Sequence, residues 1–185
     1  MRAVLLGPPG AGKGTQAERA CAAHALLHVS TGDLLRAAVA GRTALGLEAK
    51  GYMDRGALVP DALVLALLRD RLSRAGPAQG FLLDGFPRNV SQAKALDAEL
   101  GVDGLDHVIY LALEDAEILR RLLKRGRPDD TEAVIRNRLV VYRAETEPLV
   151  AFYRAQGVLR SVDASGSVDD VAGRVLAALA GRVLS

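Results

Sequence analysis

A glycine-rich loop between an apolar run and a helical pattern is the feature that most constrains the fold of this chain of 185 residues. The apolar run covers residues 3–6, the loop covers residues 7–15 (GPPGAGKGT), and the helical pattern begins near Gln16. Such a turn directs several backbone N–H groups toward one point, where the following helix N-terminus adds partial positive charge. Lys13 adds a full positive charge, and the hydroxyl of Thr15 suits a bound Mg²⁺. The loop therefore predicts a nucleotide phosphate site.

Two observations weigh against that interpretation of the loop. The general pattern places Ser or Thr directly after the lysine, whereas Gly14 stands between Lys13 and Thr15 here. A Gly/Pro turn can also do no more than join a strand to a helix. The strand–loop–helix context favours the phosphate site, but it leaves the substrate open.

Composition excludes several classes of function. The formal net charge is +2, so bulk charge gives no indication of nucleic-acid binding. Cys21 is the only cysteine, which excludes an internal disulfide and a zinc site built from cysteines. No apolar run is long enough to span a membrane, and the first residues enter a strand without a signal segment. We expect a cytoplasmic protein with no membrane partner.

Short apolar runs alternate with helical patterns along the whole chain. The strand-like runs are residues 3–6, 27–29, 81–83, 107–113 and 158–162. This alternation predicts an α/β fold with a parallel sheet covered on both faces, and ligands then bind beyond the carboxyl ends of the strands. Three distinctive segments follow strands and should meet there: residues 7–15, 30–33 and 84–88.

Local signals predict where several helices begin and end. Ser167 and Asp170 form a capping box, and Asp61 after Pro60 could cap a helix over residues 62–72. Pro148 should end the helix that contains Arg138. Residues 30–59 form a helix-rich excursion, and residues 125–130 form a short charged loop. Both segments could close over a ligand, which phosphoryl transfer requires if water is to be excluded.

Five segments in a fixed order resemble those of the adenylate kinases, members of the nucleoside-monophosphate kinase group. They are residues 7–15, 30–36, 58–61 (LVPD), 84–88 with Gln92, and 125–138. The resemblance implies a P-loop NTPase-type three-layer α/β/α fold with a five-stranded parallel sheet, a helical NMP-binding flap and a short lid. The implied division is a core of residues 1–29, 60–124 and 131–185, a flap of residues 30–59, and a lid of residues 125–130. Short-lid members imply no structural zinc, and we expect a monomer.

The same resemblance implies the site residues. ATP would bind to Gly10, Ala11, Gly12, Lys13, Gly14, Thr15, Arg121, Arg125 and the backbone at Gly166. AMP would bind to Thr31, Arg36, Ala57, Leu58, Val59, Gly85, Phe86, Pro87, Arg88, Gln92, Arg127 and Arg138. The catalytic set would be Lys13, Arg88, Arg125, Arg127 and Arg138. Thr15, Asp33 and Asp84 would organise Mg²⁺, largely through water.

The residue types support these roles and leave some alternatives open. Arginine binds phosphate oxygens in pairs, which suits transfer between two polyphosphates. Arg120 and Lys124 fit a solvated helix face better than a site. Gln92 either completes a capping box with Asn89 or contacts adenine. Asp33 could cap a helix beginning at residue 34, and it could do so while also serving the metal through water.

Three functions remain to be compared. The first is adenylate kinase, ATP + AMP ⇌ 2 ADP, in which a phosphate acceptor with a second pKa near ~6 needs no catalytic base. The second keeps the fold but accepts UMP, CMP or a small hydroxyl compound, with Asp33 as base. The third is a non-catalytic nucleotide-binding module. Thr31 and Gln92 favour adenine over the acceptors of the second function. The second, arginine-lined site weighs against the third function, because a module that only binds a nucleotide as a switch does not need it.

Overall fold

The sheet and helices follow the alternation that the sequence predicts. The computed structural model describes residues 1–74, 80–125 and 131–181, with no side-chain description of residue 125. The strands are β1 (Arg2–Leu6), β2 (Leu27–Ser30), β3 (Phe81–Asp84), β4 (His107–Ala112) and β5 (Leu159–Asp163). The helices are α1 (Lys13–His24), α2 (Thr31–Ala40), α3 (Ala44–Asp54), α4 (Asp61–Ser73), α5 (Val90–Leu100), α6 (Asp115–Arg125), α7 (Glu132–Val141), α8 (Pro148–Ala155) and α9 (Val168–Leu179).

All five strands are parallel and lie in the order β2-β3-β1-β4-β5. The register pairs Leu5 with Asp84 and Asp84 with Ser30, so the ends of β1, β3 and β2 lie side by side. The predicted five-stranded parallel sheet is confirmed. Its carboxyl edge brings together the three segments that follow these strands.

Two buried apolar layers cover the faces of the sheet. On one face, Leu82 and Ile109 are inaccessible to solvent and pack in one cluster with α1 and α9 residues such as Ala17 and Val175. On the other face, Leu83 packs in a cluster with the α5 and α8 residues Ala93, Leu96, Leu149 and Tyr153. Side chains alternate between the two faces because successive residues of a strand point in opposite directions. The predicted three-layer arrangement follows.

Several helices begin at residues other than those expected. α1 begins at Lys13, not near Gln16, because Gly12 takes a left-handed conformation (φ 90°) and is the N-cap. α2 begins directly after β2, and the Ser30 side chain accepts the Asp33 N–H (3.3 Å). The expectation that Asp33 caps a helix starting at residue 34 is therefore wrong, because Asp33 already lies in the first turn of α2.

Asp61 is also no helix cap. α4 begins at Asp61 itself, after Pro60, and its N-cap has no side-chain hydrogen bond. The capping box of Ser167 and Asp170 is confirmed at the start of α9. α7, which contains Arg138, ends at Val141, a π-helical turn covers Tyr142–Thr146, and Pro148 is the first residue of α8.

The excursion over residues 30–59 contains α2 and α3, as its helix-rich pattern predicts. A Cβ on Gly46 would lie 2.0 Å from the Ala38 backbone oxygen, so this glycine permits close packing of the two helices. The division into core, flap and lid stays a prediction, and most of the predicted lid, residues 126–130, lies outside the described residues. Within the described ranges, no helix combines the length and apolarity that a membrane span requires.

Candidate active site

A cleft of about 570 Å³ opens at the carboxyl edge of the sheet. The phosphate loop (residues 7–15) forms one wall, α2 and residues 56–59 form another, and residues 84–88 form the floor. The predicted residues that line it are Gly10, Gly12, Lys13, Gly14, Thr15, Asp33, Arg36, Ala57, Leu58, Val59, Asp84, Gly85, Pro87, Arg88, Arg121 and Arg138. The fold therefore brings both predicted nucleotide sites into one cavity.

Lys13 lies where the loop turns into α1. Its ammonium group donates hydrogen bonds to the carbonyl oxygens of Gly7 (2.8 Å) and Pro8 (3.0 Å). The left-handed backbone of Gly12 allows the chain to enter the helix at this sharp angle. The loop thus places one full positive charge beside a helix N-terminus, an arrangement that binds anions.

Asp84 supplies a buried carboxylate at the end of β3, with only 9% of the residue exposed. Its Oδ2 lies 4.0 Å from Nε2 of His28, and a Cβ on Gly14 would come within 3.6 Å of the same oxygen. Asp33 lies on α2 and forms an ion pair with Arg36 (2.5 Å). The two carboxylates and the Thr15 hydroxyl offer the oxygen ligands that Mg²⁺ prefers.

Arg88 is held by three neighbours. Its backbone N–H donates to Gln92 Oε1 (2.7 Å), its carbonyl oxygen accepts from Thr146 Oγ1 (2.7 Å), and its Nε donates to the Gly85 carbonyl (2.7 Å). Burial lowers the pKa of Arg88, Asp84 opposes this effect, and the positive charges of Arg138 and Arg36 add to it. Several cations thus meet around one partly buried guanidinium, which is a site suited to a polyanion.

Gln92 lies behind Arg88 and is 2% exposed. Its backbone N–H donates to Asn89 Oδ1 (2.8 Å), so Asn89 caps α5, but the capping box that would involve the Gln92 amide is not formed. Its side chain does not bond the Asn89 backbone. Oε1 accepts from Arg88 and Nε2 donates to Asp61 Oδ1 (2.7 Å).

Thr31 and Gln92 face a narrow crevice beside the main cleft. The crevice has a volume of about 10 Å³, and its other lining residues are Leu35, Leu58, Val59, Val64 and Arg88. Thr31 is 1% exposed, and its hydroxyl donates to the Gly85 carbonyl (2.8 Å). The crevice is far smaller than a purine base.

Residues 55–56 contact α7 directly. Asn137 Nδ2 donates to the Arg55 carbonyl (2.6 Å), and a Cβ on Gly56 (φ +68°) would lie 3.0 Å from Arg138 Cγ and from the Val134 carbonyl. Arg138 therefore lines the cleft from a helix that packs closely against the excursion over residues 30–59.

Arg121 reaches from α6 toward the loop after β5. It donates to Glu117 Oε1 (2.7 Å) and to the Ala164 carbonyl (3.1 Å). Hydrogen bonds from Arg120 and Arg121 lower the pKa of Glu117 to about 2, so Glu117 is ionised across the physiological range. Arg120 is exposed and pairs with Glu117, which confirms the solvated-face interpretation of that residue.

Some predicted residues do not line the cleft. Ala11 and Phe86 are buried in the core, with 1% and 0% exposed. Gly166 lies in the loop after β5, where a Cβ would come near Asp170 and Arg174. The side chain of Arg125 and all of Arg127 lie outside the described residues. Sequence reasoning gave Asp61 and Asn137 no role in the site, although both lie in the segments that resemble the family, and it missed Thr146, since nothing in their local sequence marks the partners they reach.

Comparisons with known proteins agree with this geometry. The family model described as "Adenylate kinase" matches residues 5–158. An adenylate kinase of Synechococcus sp. (strain WH7803) is 55% identical over 181 residues, which cover 97% of this chain and 98% of that protein. One of Thermobifida fusca (strain YX) is 51% identical over 98% of this chain and 100% of that protein. The chain therefore belongs to the adenylate kinase family, whose members are phosphotransferases that act on nucleoside monophosphates.

Proposed function

We propose that the cleft binds ATP against the phosphate loop and AMP against α2 and residues 84–88, and transfers the terminal phosphoryl group between them: ATP + AMP ⇌ 2 ADP. One observation carries the assignment of the two sides. Lys13 on one wall and Arg36, Arg88 and Arg138 on the others line one continuous cavity. Two phosphate chains can then lie end to end between these cations.

The donor side consists of the loop and Arg121. Gly10 through Thr15 would hold the ATP phosphates, with the ammonium of Lys13 exchanging loop carbonyls for phosphate oxygens. Arg121 would lie against the adenine near Gly166, because Glu117 and Ala164 fix its guanidinium there. Arg125 would contact the phosphates from the end of α6.

The acceptor side consists of Arg36, Arg88 and the crevice at Thr31 and Gln92. The two arginines would bind the AMP phosphate, and the backbone at 57–59 and 85–87 would enclose the nucleoside. Arg138, with Arg127, would contact AMP or the transferring group. Since the crevice is nearly closed, AMP binding would require outward movement of residues 30–59 followed by closure over the base.

Mg²⁺ fits the oxygen ligands at the end of β3. Asp84, Asp33 and Thr15 would hold it through water, and when bound it would neutralise developing charge on the phosphates. The described ranges contain no group of three or more His, Cys, Asp or Glu side chains able to hold a metal. Most of its ligands would then be water and nucleotide oxygens, as is usual for this ion.

Catalysis would depend on position and charge. An AMP phosphate oxygen is already anionic near neutral pH, so no side chain has to remove a proton. Lys13, Arg88 and Arg138 would align the two phosphate chains and stabilise charge on the transferring group. Closure would exclude water, which would otherwise accept the phosphoryl group. All these residues belong to one chain, so the proposal needs no second copy and is consistent with a monomer.

The test is a comparison of acceptors. Initial rates with ATP and AMP, CMP, UMP or shikimate should show a kcat/KM for AMP at least about 100-fold above the others, because a site that bonds the adenine edges rejects bases lacking them. Preference for a pyrimidine nucleotide or for a hydroxyl acceptor would overturn the assignment of the acceptor side. ATP binding without transfer to any acceptor would overturn the proposed reaction.

A further inference from the structure

Asp61 lies outside the cleft and accepts a hydrogen bond from the side chain of Gln92. The Gln92 amide is the group proposed to contact the base of AMP. Asp61 lies at the first position of α4, partly buried, and accepts hydrogen bonds from Gln92 Nε2 (2.7 Å) and Asn89 Nδ2 (3.2 Å). Asn89 in turn caps α5 through Gln92 N–H. A carboxylate can only accept hydrogen bonds, so it requires an N–H group from each neighbour.

The two partners of Gln92 together determine which way its amide points. Arg88 N–H can only donate, so it requires Oε1, while Asp61 can only accept, so it requires Nε2. A flipped amide would place an N–H against the Arg88 N–H and an oxygen against the Asp61 carboxylate. Both contacts would be repulsive at a residue that is 2% exposed, where water cannot compensate.

The orientation of this amide matters because purines differ in what they present. On the edge that carries N1, adenine offers an N6–H donor beside the N1 acceptor. An amide oxygen and an amide N–H bind these two groups as a pair. Hypoxanthine offers the reverse on the same edge: the O6 acceptor beside the N1–H donor. A Gln amide held one way therefore selects adenine, and the same amide flipped would select the 6-oxopurine.

The remaining hydrogen-bonding capacity of Gln92 matches this task. An amide has two N–H donors and an oxygen with two lone pairs. Asp61 and Arg88 use one donor and one lone pair. The Gln92 amide, which lines the crevice together with Thr31, therefore keeps one N–H donor and one oxygen lone pair unused. Adenine needs one of each.

We propose that Asp61 is a specificity-determining positioning residue: by accepting from Gln92 it holds the amide in the orientation that selects AMP over 6-oxopurine monophosphates. This inference rests on the proposed function, in which Gln92 contacts the acceptor base. Asp61 itself touches no substrate. Its effect passes through Gln92, with Asn89 as a second group that holds the carboxylate in place.

The experiment compares AMP and IMP as acceptors in Asp61→Asn. Asparagine keeps the size of the side chain but can donate to a flipped Gln92 oxygen. We expect the ratio of kcat/KM for AMP to that for IMP to fall about tenfold, with the KM for ATP unchanged. Asp61→Ala, which also removes the obligatory acceptor, should lower the ratio in the same direction and replaces Asp61→Asn if that variant does not fold. Asparagine can still accept through its own Oδ1, whereas alanine cannot, so an unchanged ratio in both folded variants would overturn the proposal.

Two controls separate this inference from the proposed function. Asp70→Asn makes the same chemical change on the same helix, where Asp70 is exposed and pairs with Arg74, and it should leave the ratio unchanged. Gln92→Ala should raise the KM for AMP and remove any further effect of Asp61→Asn. If Gln92→Ala leaves AMP kinetics unchanged, the proposed acceptor site fails. If it raises the KM for AMP while Asp61→Asn and Asp61→Ala both leave the ratio unchanged, only the role of Asp61 fails.

Discussion

Lys13 illustrates how one residue gains its role from backbone geometry. Its ammonium bonds two carbonyl oxygens of its own loop, so the loop is already folded around the charge that a phosphate would meet. This arrangement could be predicted from the GPPGAGKGT sequence, because the glycines and the following helix are local features.

Replacing Lys13 by methionine should lower kcat for ADP formation by at least about 100-fold, because a preorganised charge on the phosphates is lost. The thermal midpoint of unfolding should fall by only a few degrees, since methionine retains the aliphatic length of the side chain and loses only the two hydrogen bonds to the Gly7 and Pro8 carbonyls. Lys50→Met is the matched control: Lys50 is exposed on α3 and pairs with Asp54, so its loss should leave kcat unchanged. Full activity of Lys13→Met would refute the role of the loop.

Cys21 gives a prediction about stability at high pH. Burial raises the pKa of this thiol from 9.0 to about 11. The folded protein therefore keeps a proton that the unfolded chain releases, and the resulting stability is present below about pH 9 and is lost as the pH rises through about 11.

Between pH 8 and 11 the free energy of unfolding should fall by about 2–3 kcal/mol more in the wild type than in Cys21→Ala. Burial also raises the pKa values of Tyr142 and Tyr153, but both tyrosines are present in both proteins and cancel in the comparison. Denaturant titrations at each pH give the values. Parallel pH curves for the two proteins would show that the Cys21 proton does not contribute.

At the scale of secondary-structure elements, the contact between residues 55–56 and α7 is the most informative. Gly56 has a positive φ, and a Cβ added to it would lie 3.0 Å from Arg138 Cγ. Any side chain there must either strain the backbone or displace the helix that carries a cleft arginine.

Gly56→Ala should therefore lower kcat/KM for AMP by about tenfold or more and destabilise the fold by about 1–2 kcal/mol through the left-handed backbone alone. Gly51→Ala on α3 is the matched control. A Cβ there would lie 3.7 Å from Arg55 Nη1, an ordinary contact, and alanine favours a helix interior, so this variant should be at least as stable as the wild type. Equal AMP kinetics in both variants would show that the close contact at Gly56 is unimportant.

The elements also show where sequence reasoning failed. The strands and the Ser167 cap could be predicted because apolar runs and capping boxes are local patterns. The start of α2 differs from the expectation because β2 runs into it without a loop, so Ser30 ends the strand and caps the helix at once. The contacts of Asp61 and Asn137 could not be predicted because their partners lie 31 and 82 residues away in sequence.

For the whole molecule, the sheet order places both proposed nucleotide sites on a single core. Ligands that bind only the folded state stabilise it by an amount that grows with the logarithm of the ratio of ligand concentration to Kd. ATP at about 100 times its Kd should add about 2.7 kcal/mol, which raises the thermal midpoint by about 5–10 °C for a chain of this size. AMP should add a separate increment.

Variants on each side of the cleft should separate the stabilisation caused by ATP from the stabilisation caused by AMP. Lys13→Met should lose most of the shift caused by ATP and keep the shift caused by AMP, whereas Gln92→Ala should show the reverse. Thermal unfolding with each nucleotide alone provides the measurement. Loss of both shifts in either variant would contradict two separable sites.

The hydrogen bond from Asn137 to the Arg55 carbonyl has a consequence for how the enzyme uses ATP. Asn137 is the sequence neighbour of Arg138, so the same turn of α7 bonds the acceptor-side segment and lines the cleft. If residues 55–59 move outward to admit AMP, as proposed above, α7 would lose this anchor beside Arg138. Under the proposed mechanism, full charge stabilisation of the phosphoryl group would depend on a closed acceptor side, which would tie consumption of ATP to the presence of AMP and leave water a poor substitute.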